Sequence, residues 1–492
     1  MPRISFEYTP FERTRVTGGF GLFGGGDPKV WTSNAFTPPV FFGRVNNVAN
    51  ADPTAGTPQD LVNVITANDA NDPGPIDVIS PDFETPSDWK ASLKVDQEFD
   101  LNFADVLGGP EWLNFGSDYL FSFQFLYSFT NQGFRWENLA DTTGVDLGGG
   151  DNTSNIGIAP DGRPIYADLD DLGVNNAIAL TNFDEGRSIV LSAALSKDFD
   201  SGLGLFASYT YQDVETVTPG TSSRGVSNFR AIVDADRNNP GAFTSPFEIE
   251  HAFKVNASYE REFAGLMSRF SVFGQITSGE PFTYTFNTGT TGGQNNFLFG
   301  SPGDGENPFD AAPLYVPTIA NGLVNDPNVV LASGFNEAGF VNTVQNLGIS
   351  SGIHDRNSDQ GSWNQRWDFQ WQQEIPFFSN QLERFVGDNR LLFVVDVINF
   401  PNLLNDDWGR QFSAPGNNQL PLVSADLVSA ADVAANGIDG ASALLNDQSR
   451  TVCTTADACL YRFNSFDDTP ITASPSLNGS VWSARFGLRY EF

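Results

Sequence analysis

Apolar and polar residues alternate along many stretches of this chain. Tyr119, Phe121, Phe123, Phe125, Tyr127 and Phe129 fall on one side of an extended backbone. Ser122, Gln124, Ser128 and Thr130 fall on the other, with Leu120 and Leu126 as apolar exceptions. The same period of two runs through Trp89–Val95, Ile189–Leu195, Leu203–Tyr211, Phe253–Tyr259, Trp367–Trp371 and Trp482–Phe492. A strand turns successive side chains to opposite faces, whereas a helix returns to the same face every three or four residues. These stretches therefore predict strands.

Alternation alone fits a soluble sheet as well as a membrane barrel, and three further features separate them. The alternating runs are about 10–13 residues long, whereas soluble strands favour about 5–6 and a tilted membrane strand needs about 9–11. Tight turns are expected between 3–8 and 14–22, between 187–199 and 203–216, and between 250–263 and 268–284. Moderate links are expected for 87–99/118–132 and 365–377/390–400, and a last strand over 480–492. Between these hairpins lie stretches of roughly 33 to 78 residues rich in Gly, Asn, Asp, Pro and Thr, long for a compact soluble domain. Aromatic residues crowd the strand ends, at Trp89, Tyr119, Phe263, Trp363, Trp367, Phe377 and Trp482, as an interfacial girdle requires. The fold expected is all-β: an antiparallel transmembrane barrel meander with short periplasmic turns and long extracellular loops. About eleven strands are visible. An odd number makes the first and last run parallel, so the meander reads as half of a barrel.

Charge and composition narrow the chemistry. Lys+Arg number 26 against 60 Asp+Glu, a formal net charge of -34, so no basic surface is on offer to nucleic acid. No stretch of about 18 apolar residues predicts a membrane helix. The 44 Phe in the chain argue against disorder. Cys453 and Cys459 are the whole cysteine inventory, and their spacing in CTTADAC suits a local disulfide in an oxidising compartment. The opening MPRISFEYTP shows no signal peptide, so an exported protein would carry one upstream.

Five segments carry a resemblance: GFGLFGGGDPKVWTSN (Gly19–Asn34), ALTNFDEGRS (Ala179–Ser188), GQITSGEPFTYTF (Gly274–Phe286), DVINFPNLLNDDWG (Asp396–Gly409) and WSARFGLRYEF (Trp482–Phe492). In this order they resemble the C-terminal β-barrel portion of a TonB-dependent outer-membrane receptor, closest to the Oar-like group. The resemblance implies a 22-stranded barrel around an N-terminal plug, of which residues 1–492 would be the C-terminal half. Plug, TonB-contacting segment and signal peptide would lie elsewhere. It implies localisation in the outer membrane of a Gram-negative bacterium, contact with outer-membrane lipid, and TonB engaged only through the missing N-terminal region. The substrate imported is an unknown small molecule or oligomer. The alternating Phe486, Leu488, Tyr490 and Phe492 would be the assembly signal read by the barrel-assembly machinery, through pairing with an exposed strand edge. Alternatives are an adhesin or structural surface protein, and a passive diffusion porin.

On the polar face, Lys90, Lys94, Asp96, Glu98, Lys254, Glu260, Glu262, Arg366, Asp368 and Glu374 would line a lumen, mostly in cross-strand pairs. Asp168, Asp170 and Asp171 are a calcium option, though their spacing matches no EF-hand, and Asp304 and Glu306 read as turn chemistry. The glycine-rich GGQ, GDGEN and LGGGDN lack the strand, helix and lysine of a phosphate cradle. His251 and His354 have no nucleophile motif nearby. No catalytic residue, metal site or cofactor is expected, and no substrate-binding residue can be picked from the sequence.

Overall fold

The computed structural model describes residues 1–25, 29–36, 76–111, 114–139, 157–166, 177–287, 299, 312–376, 389–414, 418–444, 453–467 and 477–491. Asp168, Asp170, Asp171, Asp304, Glu306, Phe377, Phe492 and the three glycine-rich segments lie outside them.

Eleven long strands form one antiparallel wall: β1 (Arg3–Phe11), β2 (Thr14–Gly24), β3 (Ser87–Phe99), β4 (Tyr119–Gln132), β5 (Arg187–Asp198), β6 (Leu203–Thr216), β7 (His251–Phe263), β8 (Leu266–Thr277), β9 (Asn364–Ile375), β10 (Arg390–Ile398) and β11 (Ser483–Glu491). Each pairs with the next in chain order, and a two-residue strand, Phe243–Thr244, adds beside β6. The edges β1 and β11 do not pair with each other. The chain is thus all-β and antiparallel in its main sheet, without a shown closure.

Residues directly opposed in an antiparallel ladder share a face. One row across the wall reads Phe6, Gly18, Leu93, Phe125, Leu191, Tyr211, His251. Another reads Leu205, Ala257, Val272, Phe369, Val397, Ala484. A third reads Tyr259, Phe270, Trp371, Val395, Phe486. One apolar face therefore runs unbroken from β1 to β11. A one-residue slip at any ladder would have reversed it. Where the row thins to Gly18, the Phe6 ring lies over the gap, 2.6 Å from where a Cβ would stand.

Two rims differ. At one, β7 turns into β8 through Ala264 and Gly265, with φ of 54° and 79°. Positive φ at both central residues is the turn whose twist suits a hairpin. Residues 12–13 and 199–202, and the described residues of 100–118 and 376–389, make the other links on this rim. At the opposite rim lie the described residues of 25–86, 133–186, 217–250, 278–363 and 399–482.

That second rim corrects the expectation of unpatterned loops. A five-stranded sheet orders Val329–Leu331, Cys459–Phe466, Gln419–Ser429, Pro281–Phe286 and Asp359–Gln360, and two of its pairings are parallel. A three-stranded sheet joins Ile76–Ile79, Ala177–Thr181 and Arg135–Asn138. The strand expected over 268–284 is accordingly two strands. The wall strand β8 ends at Thr277, and Pro281–Phe286, buried at every position, leaves the wall to pair with Gln419–Ser429. Pro281 lacks the N–H that a continuing ladder would use.

The buried apolar core lies in these loops. Phe282, Tyr284, Phe286, Leu314, Phe340, Leu427, Tyr461 and Phe463 belong to one cluster, with Ala159 and Ile165 from the 133–186 loop. Trp136, Ile178, Leu180, Val226 and Phe229 form a second, with Trp31 and Phe83 against it. The wall differs: Phe121 and Phe129 are 37% exposed, Leu195 39% and Phe253 41%. Among the described residues no second sheet covers its apolar face.

Candidate functional site

The wall's polar face carries its charges in pairs. Glu260 opposes Arg269 across β7 and β8 at 2.6 Å, the cross-strand arrangement expected. Most others pair along their own strand instead: Lys90 with Asp88 at 3.5 Å, Lys94 with Asp96 at 2.9 Å, and Arg366 with Asp368 at 2.8 Å. Residues two apart on a strand share a face, and a long basic side chain spans that gap. Glu374 accepts from the Met267 amide, and Glu98 joins Asp100 and Asp118 around Arg13 at the tight-turn rim. Lys254 and Glu262 are exposed on the same face. Arg3, Ser5, Gly19, Lys90, Ser92, Ser128 and Ser188 line a groove of about 620 Å³ on this face, over β1 to β5. Small side chains at neighbouring positions are what leave the space.

The loop rim is tied together by arginines, which sequence reasoning passed over. Arg163 donates from Nε and Nη2 to Asp161 Oδ2 (2.9 and 2.5 Å) and from Nη1 to Pro313 O (2.8 Å), linking two loops. Both side chains of the pair are 1% exposed. Burial works against the Arg163 charge, but Tyr461 and Asp161 more than offset it and raise its pKa. Arg356 donates from Nη2 to Thr216 O, Val217 O and Gly241 O, at 2.9, 2.8 and 3.3 Å. Its Nη1 is 3.8 Å from Asp234 Oδ2. Burial lowers the Arg356 pKa and raises that of Asp234, each opposed by the other's charge. Tyr166 Oη donates to Asp236 Oδ1 at 2.5 Å, and Asn357 Nδ2 to Thr244 O at 2.8 Å. Arg462 pairs with Asp426 at 2.7 Å. A signal existed: with 26 basic residues in the whole chain, an arginine inside an acidic loop is an exception. A charge so placed is retained only if it is paired.

Cys453 and Cys459 are joined in a disulfide, both 2% exposed in the large loop cluster. The Ile158 amide donates to Cys453 O, so the staple also holds the 133–186 loop. His251 Nδ1 lies 2.9 Å from Tyr209 Oη, and its ring stacks on Trp363 at 5.9 Å. His354 Nε2 meets both Asp359 Oδ2 (2.6 Å) and Ser358 Oγ (3.1 Å). A nucleophile relay needs its two partners on opposite ring nitrogens, and here they share one.

In the terminal strand, Phe486, Leu488 and Tyr490 oppose Val395, Phe393 and Leu391 of β10. They are 71%, 68% and 47% exposed, and among the described residues no strand pairs with the far side of β11. The DVINFPNLLNDDWG segment makes the corner before it. Asn399 is fully buried and donates from Nδ2 to Gly409 O and Ser480 O, at 2.9 and 3.0 Å. Asn402 accepts from the Trp482 amide at 3.3 Å. These two asparagines set where β11 starts. Of the girdle residues, Trp89 stacks on Phe20 at 5.1 Å, while Trp363, Phe263 and Trp482 are 50%, 50% and 41% exposed. Tyr119 is buried at the tight-turn rim, and Trp367 lies over Gly274.

No protein-family model matches the chain, and no curated protein matches it.

Proposed function

We propose that this chain is the C-terminal barrel part of a TonB-dependent receptor in the outer membrane of a Gram-negative bacterium, serving uptake of a substrate through that membrane. The observation that carries the reading is the unbroken apolar face of an eleven-stranded wall, uncovered by another layer among the described residues. An apolar patch that broad is a liability in water and the expected outer surface in hydrocarbon. Unequal rims, tight on one side and folded on the other, agree with it. Outer-membrane lipid, the barrel-assembly machinery acting at the β11 edge, and TonB acting through an upstream region are its partners in this reading.

The free edges specify what completes the wall. Unpaired backbone groups in lipid cost several kcal/mol each. The strands β1 and β11 both run toward the tight-turn rim, so antiparallel seams need two strands running the other way. A second copy rotated about the barrel axis would present its own edges in the same direction and make parallel seams. Further strands of opposite polarity fit better.

The test uses the complete protein in cells, with Phe125→Cys and Gln124→Cys made separately. The Phe125→Cys site should resist a hydrophilic maleimide until detergent is added, and Gln124→Cys should react. Equal labelling in a water-soluble fraction would sink the membrane reading. Cross-linking to TonB is the second arm: an outer-membrane location without any TonB adduct would leave a porin or adhesin instead.

A further inference from the structure

The loop body holds a small pocket of about 150 Å³, separate from the groove on the wall. A cavity of that size holds a benzene-sized body, so a larger ring seated in it would keep its remaining substituents at the surface. Its floor is apolar, from buried Ile232 and Val233, and one wall is Phe247, 68% exposed although it stands beside buried residues. An aromatic ring left in solvent at the mouth of a pocket offers a flat apolar face with nothing yet against it.

The polar groups are fixed before any ligand arrives. Asn357 and Asn418 both line the pocket with φ of 55° and 59°. Side chains rarely adopt this left-handed region, and asparagine is among the few that do. Asn357 is held through Nδ2 to Thr244 O, and Asn418 through Nδ2 to Pro281 O at 2.6 Å. Thr221 adds an exposed hydroxyl. Arg356 is the one charged residue among the described lining: its Nη2 donates to three carbonyls and its Nη1 faces Asp234 at 3.8 Å, while its buried Nε has no partner among the described residues. The pocket thus has amides, a hydroxyl and the unpartnered buried Nε of Arg356 as hydrogen-bonding groups, an exposed aromatic face, and one cation that already faces a carboxylate. On a chain of net charge -34, a free anion would also be repelled on approach.

We infer that this pocket binds one neutral pyranose unit, either a free hexose or the end of a neutral glycan. The C–H face of the sugar would lie on Phe247, and its hydroxyls would meet Asn418, Thr221 and the fixed Asn357–Arg356 corner. The inference names a ligand class for the loop rim and does not depend on the membrane reading, since a binding site in the loops would exist in either case.

The experiment measures saturable binding of D-glucose, D-galactose and maltose to the complete protein, purified in detergent, by saturation-transfer NMR. Glucuronic acid and glucosamine serve as charged controls. A neutral sugar should bind, and Phe247→Ala should weaken it about tenfold, the size of one lost ring-face contact. Thr221→Val, at an exposed position that leaves the fold alone, should weaken it by a smaller factor. A free hexose that binds as tightly as maltose and competes with it marks a free-hexose site, and binding of maltose alone marks a glycan end. Absence of binding by all three neutral sugars, preference for a charged control, or binding indifferent to Phe247→Ala would each overturn the assignment. Labelling of Phe125→Cys and Gln124→Cys reports separately on the membrane reading, so the two can fail independently.

Discussion

The wall and the loop body are built from one chain by opposite means. In the wall, every strand pairs with its chain neighbour, and stability is spread over repeated ladders between residues close in order. Its apolar side chains stay partly exposed. In the loop body, strands from distant segments meet in parallel pairs, and rings such as Phe229, Phe340 and Phe463 are completely buried. There the chain makes its own interior. In the membrane reading proposed above, the wall is regular because lipid would supply half of its packing, whereas loops facing water must fold like a soluble domain or remain open.

The largest expected effect falls in the loop body. Trp136 is 1% exposed, edge-on to Trp31 at 5.1 Å and packed with Ile178, Leu180 and Phe229. Trp136→Ala should cost that region about 3–5 kcal/mol. Limited proteolysis should then cut within 76–83, 134–138 and 177–182 while the wall strands stay protected. Simultaneous loss of wall protection would show that the two regions fold as one, contrary to the contrast drawn. The next effect falls on the wall. Phe125→Arg, mid-strand on the apolar face between Leu93 and Leu191, should cost about 2–4 kcal/mol in a bilayer. Gln124→Arg, one residue away on the polar face, should cost much less. Chemical denaturation in liposomes checks both, and equal losses would erase the distinction between the faces.

How much of this could be read from sequence follows the same division. All eleven wall strands were visible, because alternation is local and each run reports its own face. Their odd number and the unequal rims came with it. The error at 268–284 arose where the chain changes from one regime to the other. Phe282, Tyr284 and Phe286 continue the alternation, but Thr283 and Thr285 are equally buried, at 0%. A strand covered on both sides is not distinguished by period two. The loop sheets were invisible for a related reason. Strands of two to eleven residues, paired across long separations, leave no hairpin signal. The candidate chemistry was hardest, since Arg356 and Asn357 meet Thr221, Phe247 and Asn418 only through that nonlocal folding. The Asn399–Asn402 corner stood in a segment already singled out, yet its role as the anchor of β11 needed the backbone.

The smallest expected effect sharpens the comparison by pH. Asp326, in the loop body, accepts at Oδ2 from the Thr318 amide (2.8 Å), Tyr315 Oη (3.0 Å) and Thr318 Oγ1 (3.1 Å), and at Oδ1 from the Asn328 amide (2.9 Å). Burial alone would raise this carboxyl, but the hydrogen bonds favour the charged form and hold it below the ordinary carboxylate range. The unfolded loop therefore binds the proton first as pH falls. The stabilisation is complete above the unfolded value of about 4 and is lost as pH drops through the lower folded one. Hydrogen-exchange protection over 315–331 should fall in that acid window, while the mid-strand ladder amides of 123–127 and 189–193, bonded backbone to backbone, should hold. Asp326→Asn should lower protection of the loop at neutral pH and flatten its acid response. A loop whose acid response is unchanged by Asp326→Asn would mean that its packing, rather than this carboxylate, sets its stability, and the loop body would then resemble the wall in the one respect where charge was expected to separate them.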